Sequence, residues 1–213
     1  MPAPFVRAHT RPQRPSLVPE VEVLVADDVV ALWEAIEDER GGPAEEPPFW
    51  AAAWPGGQAL ARYVLDRPGT VAGRPVLDLG SGSGLVAVAA LLAGAAAVTA
   101  SETDPFGCTA IGLNAQLNRV SGVTVVGDVL GDPVDAVAPA EGVVLAGDVC
   151  YDRVMTARVL PFLDAARRRG CEILLGDPGR PYLPTDRLEP VASYDVPDAA
   201  GGPSRRTTVW RLP

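Results

Sequence analysis

An α/β fold, a parallel sheet wound with helices, is what this sequence of 213 residues predicts, and three observations carry the prediction. From about residue 75 onward, short strand-like runs alternate with helix-like periods. The stretch "LDLGSGSGLVAVAALL", beginning at Leu77, runs from an apolar strand through three alternate glycines into a helix. Finally, two strands near the end stand too close together for a crossover helix and must pair antiparallel.

In order along the chain, residues 1–19 carry five prolines, Arg7, Arg11 and Arg14 and no acid, and read as a flexible arm with neither a secretory nor a transit pattern. Residues 20–213 then form one domain, with 20–70 a helical extension over the ligand site. "ADDVVALWEAIEDER" places Val29, Val30, Leu32, Trp33 and Ile36 at helical spacing with an acidic outer face. "GGPAEEPP" breaks that helix. In "FWAAAWPGGQALARYVLDRP" a turn at Pro55-Gly56-Gly57 opens a helix from about Gln58 to Asp66. Strands are predicted at Pro75–Leu79, Ala97–Ser101, Val123–Val126, Val143–Gly147 and Glu172–Leu175, with helices at Gly84–Ala93, Pro105–Asn118 and Arg153–Arg168. The antiparallel pair is expected near Val191–Tyr194 and Arg206–Leu212.

Composition removes several functions. Net charge is −9, and every one of the 18 basic residues is arginine, which argues against a nucleic acid held through its phosphates. No stretch is long and apolar enough to span a bilayer, so a soluble chain without a membrane partner is expected. Cys108, Cys150 and Cys171 lack metal-ligand spacing and each sits in or beside an apolar segment, which reads as reduced thiols in a cytoplasmic protein, with no metal site. The single histidine, His9, lies among prolines, so triad chemistry has no plausible base.

The glycine turn says what is bound. Gly80, Gly82 and Gly84 form G-x-G-x-G, and Leu85 occupies the position where a dinucleotide fingerprint needs its third glycine. A phosphate-binding loop is excluded because its lysine is missing. Asp78, two residues before the turn, suits a ligand with an ammonium group rather than a phosphate. Glu102 ends the next strand, where such folds place a carboxylate for ribose hydroxyls. Asp128, after the third strand, is placed to accept from an exocyclic amine such as adenine N6. The expected ligand is an adenosine with no phosphate and a cationic tail, which S-adenosylmethionine fits, and the terminal antiparallel pair matches the seven-stranded class I methyltransferase (Rossmann-like) sheet.

"FWAAAWPGGQALARYVLDRP", "VLDLGSGSGLVAVAA", "TASETDPFGCTAIGLNAQLN", "AGDVCYD", "LLGDPGRPYL" and "TTVW" resemble, in that order, the electron transfer flavoprotein beta subunit lysine methyltransferases, part of a wider group of protein lysine methyltransferases with a D-x-x-Y motif. The resemblance runs from about Leu17 to Leu212. It implies that Asp148 and Tyr151, the ends of "DVCY", line the pocket where a target amine meets the methyl donor. It also implies that Trp54 covers the cofactor and that "GDPGRP" (Gly176 to Pro181) lies near where substrate enters. Glu102 stands where this family commonly has aspartate. The expected activity is S-adenosylmethionine-dependent methylation of a protein lysine, with that flavoprotein subunit as the implied partner. An N-methyltransferase for a small amine or heterocycle and a catalytically silent binding subunit are the alternatives.

Overall fold

A computed structural model describes residues 2–44, 46–138, 140–197 and 203–213. The chain opens with helix α1 (Pro2–His9), a hairpin of β1 (Arg11–Gln13) and β2 (Val23–Val25), α2 (Val29–Arg40) and α3 (Pro55–Asp66). The wound sheet follows as β3 (Pro75–Leu79), α4 (Leu85–Leu92), β4 (Ala97–Ser101), α5 (Pro105–Leu117), β5 (Val123–Val126), α6 (Val134–Val137), β6 (Val143–Gly147), α7 (Arg153–Arg168), β7 (Glu172–Asp177), β8 (Glu189–Val196) and β9 (Arg205–Leu212).

The seven strands lie in the order β5-β4-β3-β6-β7-β9-β8. Five are parallel, and β9 runs antiparallel to both β7 and β8, the architecture of a class I methyltransferase sheet. The chain winds outward from β3 and then returns to the other side of it with β6, so a crevice opens at the carboxyl ends of these two strands.

Both faces of the sheet are covered, which is why the central strands read as unbroken apolar runs rather than alternating ones. Val76, Val143, Leu145 and Leu174 pack with α3 and α4, whereas Leu77, Val144, Ala146, Ile173 and Leu175 pack with Val159, Phe162 and Leu163 of α7. Among the described residues no helix is long and apolar enough to cross a membrane.

The arm expected over residues 1–19 is instead built into the fold. Pro2 and Pro4 fall in the first turn of α1, where a helix needs no N–H donor. Val6 is fully buried in a third cluster with Leu24, Leu32, Ile36, Trp50 and Phe106. The proline content argued for disorder only because these contacts are distant in sequence.

Two asparagines, Asn114 of α5 and Asn118 at its C-terminal cap, fasten the hairpin. The Asn114 side chain is completely buried; its Oδ1 accepts from Leu24 N (2.9 Å) and its Nδ2 donates to the carbonyl of Ser83 in the glycine turn (2.7 Å). Asn118 accepts from Glu22 N (2.8 Å) and donates to Glu22 O (2.6 Å). One amide therefore links the N-terminal extension to the ligand-binding turn. Asn114→Ala, which leaves two buried backbone groups unpaired, is expected to cost about 2–4 kcal/mol in urea unfolding, whereas an unchanged midpoint would contradict the role given to this amide.

Candidate active site

One wall of the crevice is the turn between β3 and α4. Gly80, Gly82 and Gly84 have φ of 66°, 55° and 79°, each a left-handed conformation that residues with a side chain adopt at a cost. Gly84 occupies the N-cap position of α4 and has no side chain to cap it. Asp78 does so from the strand: its Oδ2 accepts from Ala87 N (3.0 Å) and from the Ser81 hydroxyl (2.6 Å). Glu102 braces the same turn from behind, accepting from the backbone N–H groups of Gly82 (2.9 Å), Thr103 (2.7 Å) and Asp104 (2.9 Å).

The opposite wall is a contact of backbone on backbone. The first turn of α3 rests on the ends of β6 and β7 so closely that side chains are excluded. A Cβ on Gly56 would lie 2.1 Å from Gly176 O, and one on Gly147 would lie 2.9 Å from both Gly57 Cα and Gly57 N. "WPGG" therefore reads as a turn in sequence but acts as a docking surface.

Asp148 follows directly, with φ of 60°, uncommon for a residue with a side chain. Its Oδ2 accepts from Gly57 N (2.8 Å) at the start of α3, and its Oδ1 accepts from Arg180 Nη1 (2.6 Å). Arg180 Nη1 also reaches Asp177 Oδ2 (3.3 Å), while Asp177 Oδ1 accepts from the backbone N–H groups of Gly179 and Arg180, each at 2.7 Å.

The crevice is lined by Trp54, Gly57, Asp78, Gly80, Ser81, Gly82, Ser83, Gly147 and Asp148 among others. Of the residues expected from sequence, it brings together Trp54, Asp78, Gly80, Gly82 and Asp148. Gly84 ends the turn against Ile111, and Glu102 stands behind Gly82. Asp128 is exposed at the end of β5, paired with Arg158 of α7 and accepting from Leu130 N (3.0 Å). Tyr151 is not among the lining residues; Phe49 joins it to Trp54, which is. The Phe49 ring is 5.6 Å from Tyr151 and 5.9 Å from Trp54, and the Trp54 indole donates to Phe49 O (2.7 Å). These three rings are partly exposed. Sequence reasoning missed Phe49, which directly precedes the motif tryptophans, and the return of Arg180 onto Asp148.

The electrostatics specify a cation. Asp78 is 1 % exposed; burial pushes its carboxyl up to about 7, and nearby Glu102 adds to the rise. Burial likewise raises Asp148, against the lowering effect of Arg180. Two buried carboxyl groups on one crevice, with a single guanidinium between Asp148 and Asp177, favour a positively charged ligand. A left-handed glycine turn faces them. This donor set fits S-adenosylmethionine, whose sulfonium and ammonium are cationic, and it does not suit a pyrophosphate.

The fold and crevice define a class I, S-adenosylmethionine-dependent methyltransferase. The comparisons with known proteins agree. Residues 59–146 match the family model for ribosomal protein L11 methyltransferase (PrmA). Magnesium protoporphyrin IX methyltransferase from Synechocystis PCC 6803, solved with bound SAM, superposes with a TM-score of 0.53 at 17% identity over 74% of this chain and 79% of that one. In sequence, the chain is 35% identical to the electron transfer flavoprotein beta subunit lysine methyltransferase of Danio rerio over 92% of its own length and 77% of that protein. The Xenopus laevis relative of the same name is 32% identical over 93% and 80%, respectively. The chain belongs to the electron transfer flavoprotein beta subunit lysine methyltransferase family.

Two outcomes test the walls of the crevice. Neighbouring glycines of α3 should respond with opposite signs. Gly56→Ala and Gly147→Ala drive a Cβ into backbone that has no room to yield and are expected to lose about 3 kcal/mol or more. Gly57→Ala meets only Val86 Cγ2 at 3.8 Å and should be neutral or stabilising by up to about 1 kcal/mol, as alanine is favoured within a helix. Thermal unfolding reads both. The second outcome concerns Asp78. With its folded pKa raised from 3.8 to about 7, the group binds more protons folded than unfolded, so it lowers stability as pH rises through that window. A cationic ligand favours the ionised carboxylate. Calorimetric affinity for S-adenosylmethionine should therefore climb with pH and level off above about 7, and Asp78→Asn should weaken binding and flatten the climb.

Proposed function

We propose that this methyltransferase acts on the side-chain amine of a protein lysine, with the electron transfer flavoprotein beta subunit as its substrate. The observation that supports it most is a carboxylate-lined crevice that opens between Asp148 and the partly exposed rings of Trp54, Phe49 and Tyr151. That mouth suits a long aliphatic stem ending in a cation. The relatives' names, which specify this lysine substrate, point the same way. Cys150 and Cys171 are buried, and burial pushes the Cys150 thiol up to about 11, as befits reduced structural thiols in the cytoplasm.

Trp54, Asp78, Gly80, Gly82, Gly84, Glu102 and Asp128 are the residues assigned to the cofactor. When bound, S-adenosylmethionine supplies an electrophilic methyl group on a sulfur cation. The protein's task is to align an amine and keep water out. A lysine of pKa about 10.4 presented neutral at pH 7 costs about 4–5 kcal/mol. Asp148 is not the base for that step. An ordinary aspartate, near 3.9, is more than about six units too weak, and even full burial adds only about 3–5. Each carboxylate oxygen can accept more than one hydrogen bond, so Asp148 receives the amine while it keeps Gly57 and Arg180, and the proton leaves to water. The sulfonium of the bound cofactor, a like charge beside the amine, would lower the amine's pKa. Tyr151 orients the cation at the mouth, a contribution of about 0.5–2 kcal/mol.

The sequence contains no lysine, so in an assay with methyl-labelled cofactor every methyl-lysine comes from the substrate. Incubation with the intact flavoprotein should label its beta subunit, and changing that subunit's lysines to arginine should abolish the label. An unlabelled flavoprotein beside a labelled small amine would contradict the proposal.

A further inference from the structure

Arg180 lies in the "GDPGRP" loop but has had no role of its own, yet it makes a shorter contact to Asp148 than Gly57 N does. Its position is set from its own loop. The carboxylate of Asp177, at the end of β7, holds Gly179 N and Arg180 N with one oxygen and the Arg180 guanidinium with the other. The Asp177 side chain is 2% exposed, those of Asp148 and Arg180 are 11% and 21%. This is therefore not a surface pair of the kind worth little.

We infer that Arg180 is a positioning residue of the methyl-transfer site: anchored by Asp177, it fixes the Asp148 carboxylate in its left-handed backbone conformation at the crevice. The inference rests on the reading of Asp148 as the group that receives the amine. The charged groups around Asp148 are Arg180 and Asp177 of the loop after β7 and Asp78 on the other wall of the crevice. Cys150 stands two residues on, and α3 contributes the Gly57 N–H.

The charge count gives Arg180 its second effect. Asp148 and Asp177 are two carboxylates on one guanidinium. With Arg180 in place, one net negative charge remains to meet the substrate ammonium. Without it, two buried carboxylates face one another, and the Asp148 carboxyl holds its proton more tightly. A protonated Asp148 is a poorer acceptor for an ammonium and is no longer held in its conformation.

The test is the titration of Asp148 by carbon-13 NMR on protein labelled at the aspartate carboxyl carbons, with the resonance assigned through Asp148→Asn. In Arg180→Gln the Asp148 midpoint should rise by about one to three pH units. In Arg180→Lys, which keeps the charge but not the planar fork, it should rise by less, and this variant carries the test if Arg180→Gln does not fold. A midpoint equal to that of the wild type in a folded variant overturns the inference. On the flavoprotein substrate, the acid limb of kcat/KM should move upward with the titration, and Arg180→Lys should recover part of the loss. A wild-type enzyme inactive on the flavoprotein overturns the substrate reading alone, because the carboxyl titration still decides the role of Arg180.

Discussion

The approach of α3 to the ends of β6 and β7 is the contact on which the rest of the site depends. Gly56, Gly147 and Gly176 let two backbones meet where any side chain would intrude. The same approach delivers Gly57 N to Asp148 Oδ2. It also sets Trp54, the residue before α3, on the rim of the crevice. An ordinary side chain at Gly147 would lift the helix and release the carboxylate, the indole and one wall together. Close packing leaves little slack for such a change.

Charge is arranged on this frame with the same economy. Asp78 caps α4 in place of the side chain that Gly84 lacks, and that task holds a carboxylate in a buried position with no cation paired to it among the described residues. Arg180 gives Asp148 a cationic partner, whereas Asp78 is held by the Ser81 hydroxyl and Ala87 N. The extension before the sheet takes part as well, because Asn114 joins β2 to Ser83 of the glycine turn.

Strands β3, β4, β5 and β6 occupy the ranges their apolar runs predict, since covering both faces of a parallel sheet leaves little ambiguity in such runs. Helix α7 was equally legible from its amphipathic spacing. The failures share one cause. Val6 buries against α5, Gly56 meets Gly176, and Arg180 returns to Asp148 across 32 positions; none of these contacts leaves a local signature. Prolines in residues 1–19 suggested an arm because a first-turn proline and a loop proline look alike in sequence. In the site, Asp78 and Asp148 line the crevice, whereas Glu102 and Asp128 are not among its lining residues. The partners of these acids were not legible: Asp128 pairs with Arg158, and Glu102, expected to accept ribose hydroxyls, holds the N–H of Gly82 in the glycine turn and those of Thr103 and Asp104 in its own loop.

A co-crystal structure with S-adenosylmethionine is the measurement closest to the central claim. The account requires the sulfonium compound to lie between the Gly80–Ser83 turn and the Gly147–Asp148 wall, beneath Trp54, with its positive charge toward Asp78 and Asp148. Density for it at any other place on the chain, or a crevice that instead takes up a pyridine dinucleotide, would contradict the account.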